Sequence, residues 1–305
     1  MSPTTSEFQP PPSRDGLGAS CVVTPQSGPW LTMLDFLDQR FPAVGRNVWA
    51  ERMHGGLVLA DATTTIGVHA SFKPAQRIYY FRAIASEPRI PFEATVLWHD
   101  DHLLVADKPH FLPVLPSGKY VHETLLVRLK KQFQLEALVP IHRIDRDTAG
   151  LVLFSVNPKS RDAYHALFRN RQVHKTYHAI APWNPDLPLP LTRESRIRPS
   201  SVFMKQIEVE GPANALTHIR ILQVAGTHAL YELKPVTGQR HQLRVHMNAL
   251  GLPIDGDGIY PVLTPEGDTN FQRPLQLLAK YLSFKDPVTG STKEFESNRQ
   301  LQFFC

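Results

Sequence analysis

A short apolar run near the middle of the chain, residues 151–156, constrains the fold more than any other stretch. Only Ser155 interrupts it, Gly150 precedes it, and Asn157 followed by Pro158 ends it. A run of this length between turn-forming residues is typical of a strand that is buried on both faces. We therefore expect the chain to build its core around this strand.

Three charged residues lie just before that strand, in a segment predicted to be a loop: Arg143, Asp145 and Arg146. A loop at the end of a rigid core strand holds a side chain firmly and leaves it open to a substrate. Asp145 is thus a candidate for chemistry. The alternative is a solvated ion pair, which is what an aspartate between arginines most often forms.

A second group of basic residues follows a predicted turn at residues 235–238. On a helix, Leu243, Met247 and Leu250 would form one apolar stripe, and Gly251 would end the helix. Another face, with residues four apart, would carry Arg240, Arg244 and Asn248. One helix would then direct two guanidinium groups the same way, and the alternative is an ordinary solvated basic face.

Composition sets the class of protein. The chain has 305 residues, of which 42% are hydrophobic and 20% charged, so it is globular with a sizeable core. Its formal net charge of +5 favours an anionic partner such as nucleic acid, although proteins that bind no nucleic acid also carry such an excess. Two cysteines near opposite ends provide neither a disulfide framework nor the spacing of metal ligands.

Nothing in the sequence predicts export or membrane insertion. The first residues lack a basic start followed by an apolar core, and no stretch approaches the roughly 18 apolar residues that span a bilayer. We expect a cytoplasmic protein with no membrane partner, and a monomer.

The chain divides into three predicted regions. Residues 1–29 are dense in Pro, Ser, Thr and Gly, which predicts a flexible tail. Residues 30–85 show a helical spacing of apolar residues followed by short apolar runs, which predicts a small helix-and-strand unit. Residues 90–305 form the main domain.

Within the main domain, residues 94–109 predict a hairpin. Asn157 and Pro158 predict the start of a helix that runs to Phe168. A basic cluster follows, suited either to phosphate or to the helix dipole: Arg169, Arg171, His174 and Lys175. Tyr177 then enters a predicted strand, where tyrosines are usually core aromatics, and residues 182–200 predict a long loop.

Several of these segments together resemble one protein family. Residues 142–151, HRIDRDTAGL, are similar to the signature of the RluA family of RNA pseudouridine synthases. The segments at residues 107–109 (DKP), 175–177 (KTY), 237–257 and 277–290 resemble the family's other motifs in the same order. The resemblance covers residues 94–295.

The resemblance implies an α+β pseudouridine synthase fold, with a mixed, mainly antiparallel central sheet flanked by helices and loops. It implies an isomerase that flips a uridine out of ribosomal or transfer RNA and converts it to pseudouridine. Neither a cofactor nor a metal is implied. Residues 30–85 faintly resemble a small RNA-binding domain of some relatives, and a structural N-terminal cap is the alternative.

The resemblance also implies roles for individual residues. Asp145 would be the catalytic carboxylate, as nucleophile or base, with Arg244 as its partner and Tyr177 against the target base. Arg143 would fill the gap left by the flipped uridine. The remaining expected RNA contacts are Arg146, Lys175, Arg240 and His241.

Two other functions remain open on sequence grounds. The basic features would also serve an RNA-binding module without catalysis. Alternatively, a metal-dependent phosphoester hydrolase would use the polar turn formed by His99, Asp100, Asp101 and His102, although ordinary turn chemistry explains these residues more simply.

Overall fold

The structure is a computed structural model that describes residues 11–82, 87–202, 204–264 and 270–303. It divides the chain into two compact units. The first unit comprises Met1–Pro88 and Leu115–Glu136, and the second comprises Arg89–Val114 and Ala137–Cys305. The sequence did not predict that residues 115–136 belong with the N-terminal part of the chain.

The first unit combines a small antiparallel sheet with three helices. Its strands are β1 (Ser20–Val23), β2 (Val58–Leu59) and β3 (Arg77–Tyr80), in the order β1-β3-β2. Its helices are α1 (Met33–Arg40), α2 (Arg46–His54) and α3 (Leu125–Phe133). Trp49 is fully buried between the helices and the sheet and is part of an aromatic and aliphatic core.

The prediction of a flexible tail is wrong for residues 20–23. They form β1, which pairs with β3 from Ser20 opposite Tyr80 to Val23 opposite Arg77. The strand-forming segment is only four residues long, so the surrounding Pro-rich and Ser-rich composition concealed it. Leu17 is also buried, against Val121 and Val127. The part of the predicted tail at residues 1–10 lies outside the described residues.

The second unit is built on an eleven-stranded sheet. Its strands are β4 (Thr95–His99), β5 (Leu103–Lys108), β6 (Val139–Pro140), β7 (Ala149–Ser155), β8 (His174–Pro182), β9 (Leu191–Pro199), β10 (Gln206–Val209), β11 (Ala215–Ala225), β12 (His228–Pro235), β13 (Leu277–Lys285) and β14 (Thr292–Glu296). The order is β10-β9-β11-β12-β8-β13-β7-β5-β4, with β14 beside β13 and β6 beside β7. Two helices complete the unit, α4 (Arg161–Arg169) and α5 (Gln242–Ala249).

The sheet is mixed and mainly antiparallel, as predicted. Among the described strands, β7 and β13 run parallel and the other neighbouring pairs run antiparallel. All seven residues of β7 are buried, so the prediction of a core strand is confirmed. Gly150 has a φ of +107°, and a Cβ there would lie 2.3 Å from the carbonyl oxygen of Ala279 on β13. The two strands therefore meet closely beside the Asp145 loop.

Two predicted boundaries are wrong. The predicted loop at residues 182–200 contains β9, in which Ile197 is buried while the surrounding arginines and polar residues hide the strand pattern. Helix α4 begins after Ser160 and not at Asn157, because the Asn157 side chain accepts the backbone N–H of Lys159 in a turn. The predicted hairpin is confirmed as β4 and β5.

In the described part of the chain, the helices are all too short or too polar to cross a bilayer.

Candidate active site

A cavity of about 480 Å³ opens in the second unit beside Asp145. Three segments surround it: the loop before β7, the stretch from the end of α4 into β8, and the turn between β12 and α5. Among its lining residues are seven of the eight residues expected at the site: Arg143, Asp145, Lys175, Tyr177, Arg240, His241 and Arg244. The structure thus brings together segments that are far apart in sequence.

Two residues of the cavity wall, Asp145 and Arg244, form a chain of charges with buried Asp257. Arg244 donates from Nη1 to Asp145 Oδ2 at 3.2 Å. It also donates from Nε and Nη2 to the two oxygens of Asp257, at 2.8 and 2.6 Å. The side chains of Arg244 and Asp257 are 2% and 1% exposed, whereas that of Asp145 is 29% exposed. Of these three residues, Asp145 is therefore the one with substantial exposure to the cavity.

The Asp145 carboxyl is held in its charged form. Burial acts to raise its pKa, but the charge of Arg244, the charge that His241 carries at acidic pH and the hydrogen bond from Arg244 outweigh burial and hold the pKa below its usual value. Asp257 supports this arrangement, because it also accepts the backbone N–H groups of Ile259 and Tyr260 and so fixes the guanidinium. Asp145 is consequently an ionised carboxylate at neutral pH.

His241 lies on the other side of Asp145. Its Nε2 is 3.9 Å from Asp145 Oδ1, and its side chain is 6% exposed. Its backbone is in the left-handed region, with a φ of +55°, and α5 begins only at Gln242. The predicted helix face carrying both Arg240 and Arg244 is therefore wrong: Arg240 precedes the helix and is exposed, whereas Arg244 is buried within it.

Tyr177 forms another part of the wall from the middle of β8. It pairs with Leu233 of β12 on one side and Ala279 of β13 on the other, so the sheet fixes its position. Burial, and then the charge of Asp145, raise the pKa of its hydroxyl. The ring therefore presents an aromatic surface and a protonated hydroxyl near the carboxylate.

The other predicted contacts divide into two groups. Arg143 and Arg240 are exposed at the cavity, and Lys175 donates from Nζ to the carbonyl of Thr237 at 3.2 Å. Arg146, by contrast, is not among the cavity-lining residues, and its Nε donates to Asp147 at 2.8 Å. Two further lining residues come from the basic cluster that the sequence left open between phosphate and helix dipole: Arg169 and Arg171.

Lys108 is a buried residue that supports the Asp145 loop. Its Nζ donates to the carbonyl of Pro109 at 2.9 Å and to that of Arg146 at 2.8 Å. Burial lowers the pKa of Lys108 to about 7, against the opposing charges of Asp147 and Asp145. The two hydrogen bonds to carbonyls are available in both protonation states, since even the neutral amine keeps two N–H groups.

Sequence reasoning missed Asp257, Tyr260 and Lys108 as parts of the site. The signal for Asp257 was present, since it ends the segment at residues 237–257 that resembles a family motif. The signal for Lys108 was its place in the segment at residues 107–109. No comparable pattern marked Tyr260, whose contacts depend on the folded chain.

The turn between β4 and β5 provides no metal site in the structure. Asp100 Oδ1 accepts the backbone N–H groups of His102 and Leu103, and its Oδ2 accepts the indole N–H of Trp98. Within the residues that the structure describes, no three His, Cys, Asp or Glu side chains are placed to share a metal ion. The hydrolase alternative therefore lacks its ligand set in this part of the chain.

Comparisons with known proteins identify the family. The family model for RNA pseudouridylate synthase matches residues 102–249. The chain is 33% identical over 233 residues to an uncharacterized RNA pseudouridine synthase of Synechocystis, covering 75% of this chain and 79% of the relative. It is 31% identical over 209 residues to the dual-specificity RNA pseudouridine synthase RluA of Salmonella typhi, covering 66% of this chain and 91% of the relative.

The fold agrees with solved structures. Human RNA pseudouridylate synthase domain containing 4 aligns with a TM-score of 0.53 and 28% identity, over 68% of this chain and 88% of that one. Human RNA pseudouridylate synthase domain containing 1 shares the fold with a TM-score of 0.57 at 24% identity, over 70% and 86% of the two chains. With the motifs and the matched relatives, the chain belongs to the RluA family of RNA pseudouridine synthases, isomerases that convert uridine in RNA to pseudouridine.

Proposed function

We propose that this enzyme isomerises a uridine in ribosomal or transfer RNA and that Asp145 is its catalytic carboxylate. The observation that carries the proposal is the hydrogen bond from buried Arg244 to partly exposed Asp145. It supports a carboxylate that is ionised, fixed in direction and open to a substrate in the cavity. The dual-specificity relative of Salmonella and a tRNA pseudouridine(32) synthase of yeast support the substrate class.

The chemistry requires a charged carboxylate beside the ribose. The bond between N1 of uracil and C1′ of ribose breaks, the uracil turns, and a bond forms from C5 to C1′ while C5 loses a proton and N1 gains one. Asp145 acts either as a nucleophile at C1′ or as a base at C2′, and both routes need the ionised form that Arg244 favours. The reaction is an isomerisation, so it consumes no oxidant, reductant or group donor.

Tyr177 is proposed to pack against the uracil. Its place between β12 and β13 holds the ring rigidly, which suits it to keep the free uracil near C1′ while the base turns. Because its hydroxyl pKa is raised, the hydroxyl is protonated at neutral pH, and it can accept the C5 proton only as a relay that passes its own proton on at the same time.

The rim of the cavity is proposed to bind RNA. A uridine within a stem must leave the stack before a side chain reaches its ribose. Exposed Arg143, two residues before the carboxylate in sequence, is suited to fill the resulting gap. Arg240 and Lys175 with Arg169 and Arg171 meet the backbone phosphates. Arg146 and His241 contact Asp147 and Asp145 instead, so we propose that they act mainly within the protein.

The enzyme is further proposed to act as a monomer in the cytoplasm. The exposed free thiol of Cys21 supports a reducing compartment. Light scattering of the purified protein tests the oligomeric state. A monomer has a mass of 34.4 kDa, and a measured mass of about twice that value would contradict the proposal.

Mapping of pseudouridine across cellular RNA tests the proposal. A strain lacking the protein is complemented with wild type or with Asp145→Asn, and ribosomal and transfer RNA are mapped separately. We expect one or a few sites to disappear and only wild type to restore them, while the purified Asp145→Asn protein binds the same RNA as wild type does. Restoration of the sites by Asp145→Asn would exclude the catalytic role of Asp145. If the strain lacking the protein keeps every site in both ribosomal and transfer RNA, the proposed substrate class is excluded.

A further inference from the structure

The two oxygens of the Asp145 carboxylate have different neighbours. Oδ2 accepts the hydrogen bond from Arg244, whereas Oδ1 faces His241 Nε2 at 3.9 Å. That distance is too long for a hydrogen bond in the structure as it stands. A small movement on substrate binding would close it, as catalytic hydrogen bonds often tighten only in the enzyme–substrate complex.

His241 is held so that one ring nitrogen faces Asp145. The ring lies edge-on to the buried ring of Tyr260, with centroids 5.9 Å apart. Its Nδ1 is 3.2 Å from the hydroxyl of Tyr260, which leaves Nε2 to face the carboxylate. The orientation is therefore set by Tyr260.

The hydrogen bonds of Tyr260 determine which nitrogen of His241 carries the proton. The backbone N–H of Gln206 donates to the Tyr260 hydroxyl oxygen at 2.7 Å, so the hydroxyl's own proton needs an acceptor. Among the described residues, His241 Nδ1 is its remaining hydrogen-bond partner. Neutral His241 must then carry its proton on Nε2, because the other tautomer would leave a buried hydroxyl proton unpaired and a lone pair facing a carboxylate.

Protonation of His241 would keep the N–H at Nε2 but would remove the acceptor at Nδ1 for the hydroxyl proton of Tyr260. In the cation both ring nitrogens are protonated, so Nε2 still presents an N–H to Asp145. Four charged groups face His241: Asp145 and Asp257 act to raise its pKa, whereas Arg244 and Arg240 act to lower it. Burial, against the charge of Asp145, holds the pKa of His241 below its usual value, so at neutral pH it faces Asp145 as a neutral donor.

We infer that His241, held in its Nε2–H tautomer by Tyr260, is a positioning residue that fixes the second oxygen of the Asp145 carboxylate during the reaction. This role rests on the proposed catalytic function of Asp145. Arg244 fixes one oxygen and keeps the carboxylate charged, while His241 directs the other oxygen toward the ribose. A neutral second donor orients the carboxylate without adding a second full charge that would weaken its reactivity.

Two substitutions of His241 separate this role from a structural one. The amide nitrogen of Gln can replace Nε2, whereas that of Asn reaches only the position of Nδ1. We expect His241→Asn to lower kcat about tenfold relative to His241→Gln, the worth of one net hydrogen bond, with a smaller change in KM. A merely structural role predicts the opposite order, since Asn tolerates the left-handed backbone better than Gln does. Equal kcat values, or a higher value for Asn, would overturn the inference.

The tautomer can be measured without activity. In protein labelled with ¹⁵N-histidine, the signal that is missing from the His241→Gln protein reports His241. We expect it to show the Nε2–H tautomer at neutral pH in wild type and a shift toward Nδ1–H in Tyr260→Phe, which loses only the hydroxyl. An Nδ1–H tautomer in wild type would overturn the inference. His218→Gln, on an exposed part of β11, is the matched control and should leave kcat unchanged.

The proposed function and this inference fail in different ways. Activity in the Asp145→Asn protein would reject the catalytic role of Asp145, whatever the tautomer of His241. An inactive Asp145→Asn protein together with equal rates for the Gln and Asn variants would reject only the role of His241.

Discussion

Arg244 donates one hydrogen bond to Asp145, and its remaining nitrogens are already occupied. Nη1 contacts Asp145 Oδ2 at 3.2 Å, while Nε and Nη2 hold Asp257. Because the second carboxylate fixes the guanidinium plane, Arg244 cannot follow Asp145 if the loop moves. Asp145 therefore meets a partner of fixed position, which is the geometric requirement for a carboxylate that must approach a single ribose.

Removal of the Arg244 charge should destabilise the protein strongly. Arg244→Gln leaves Asp257 buried without its charged partner, which typically costs about 3 to 5 kcal/mol of unfolding free energy. Denaturant unfolding of the full-length protein measures the loss of unfolding free energy. Arg169→Gln is the control, because the pair of Arg169 with Asp162 is exposed and should contribute less than about 1 kcal/mol. Equal stability of wild type and Arg244→Gln would contradict the assigned role of the buried pair.

Lys108 should make the stability depend on pH. Its pKa is about 7 in the folded protein and 10.5 for an unperturbed lysine, mainly because of burial. Between these values the unfolded chain binds a proton that the folded protein does not, so raising the pH favours the folded state. We expect the unfolding free energy of wild type to rise relative to that of Lys108→Met between pH 7 and 9. Lys285→Met, at an exposed position, is the control: the difference in unfolding free energy between wild type and this variant should not change with pH.

Arg240 should contribute to RNA binding through a phosphate. Neutralising one phosphate contact lowers the slope of log affinity against log salt by about one. We expect Arg240→Gln to weaken RNA binding and reduce this slope, as measured by fluorescence anisotropy over a salt series. Lys285→Gln is the control. Leu277, the first residue of β13, lines the cavity, whereas Lys285 is the last residue of the same strand and does not line it. An unchanged slope in Arg240→Gln would show that Arg240 contacts no phosphate.

Gly150 should not tolerate a side chain. Its φ of +107° disfavours any other residue, and a Cβ would collide with the backbone of Ala279. We expect Gly150→Ala to lower the unfolding free energy by more than about 1 kcal/mol and to lower activity, because β7 carries the Asp145 loop. Gly238→Ala, which meets no atom within 4 Å, is the stability control and should unfold like wild type.

Local sequence predicted the elements whose signal is continuous along the chain. The apolar run of β7 and the hairpin of β4 and β5 are examples, since burial and turn residues alone define them. Elements whose signal is mixed with charge were missed. β9 mixes three arginines with polar and apolar residues, and pairs across strands, such as Arg193 with Glu208, satisfy those charges only in the folded sheet.

The sequence predicted those residues of the candidate site that lie within the family motifs. Resemblance located Asp145, Tyr177 and Arg244, and the structure places all three at one cavity. The spacing of Arg240 and Arg244 suggested a shared helix face, but the left-handed backbone at His241 starts the helix later. Contacts such as that of Tyr260 with His241 join residues 19 positions apart and follow from tertiary packing.

The membership of α3 in the first unit limits how that unit could be exchanged or removed. The chain passes between the two units three times, after residues 88, 114 and 136. A protease would need three cuts, not one, to release the first unit, and a deletion of residues 1–88 would leave Val121 and Val127 without Leu17. Replacing residues 1–88 would therefore require a new sequence that also packs against Val121 and Val127 beside and within α3.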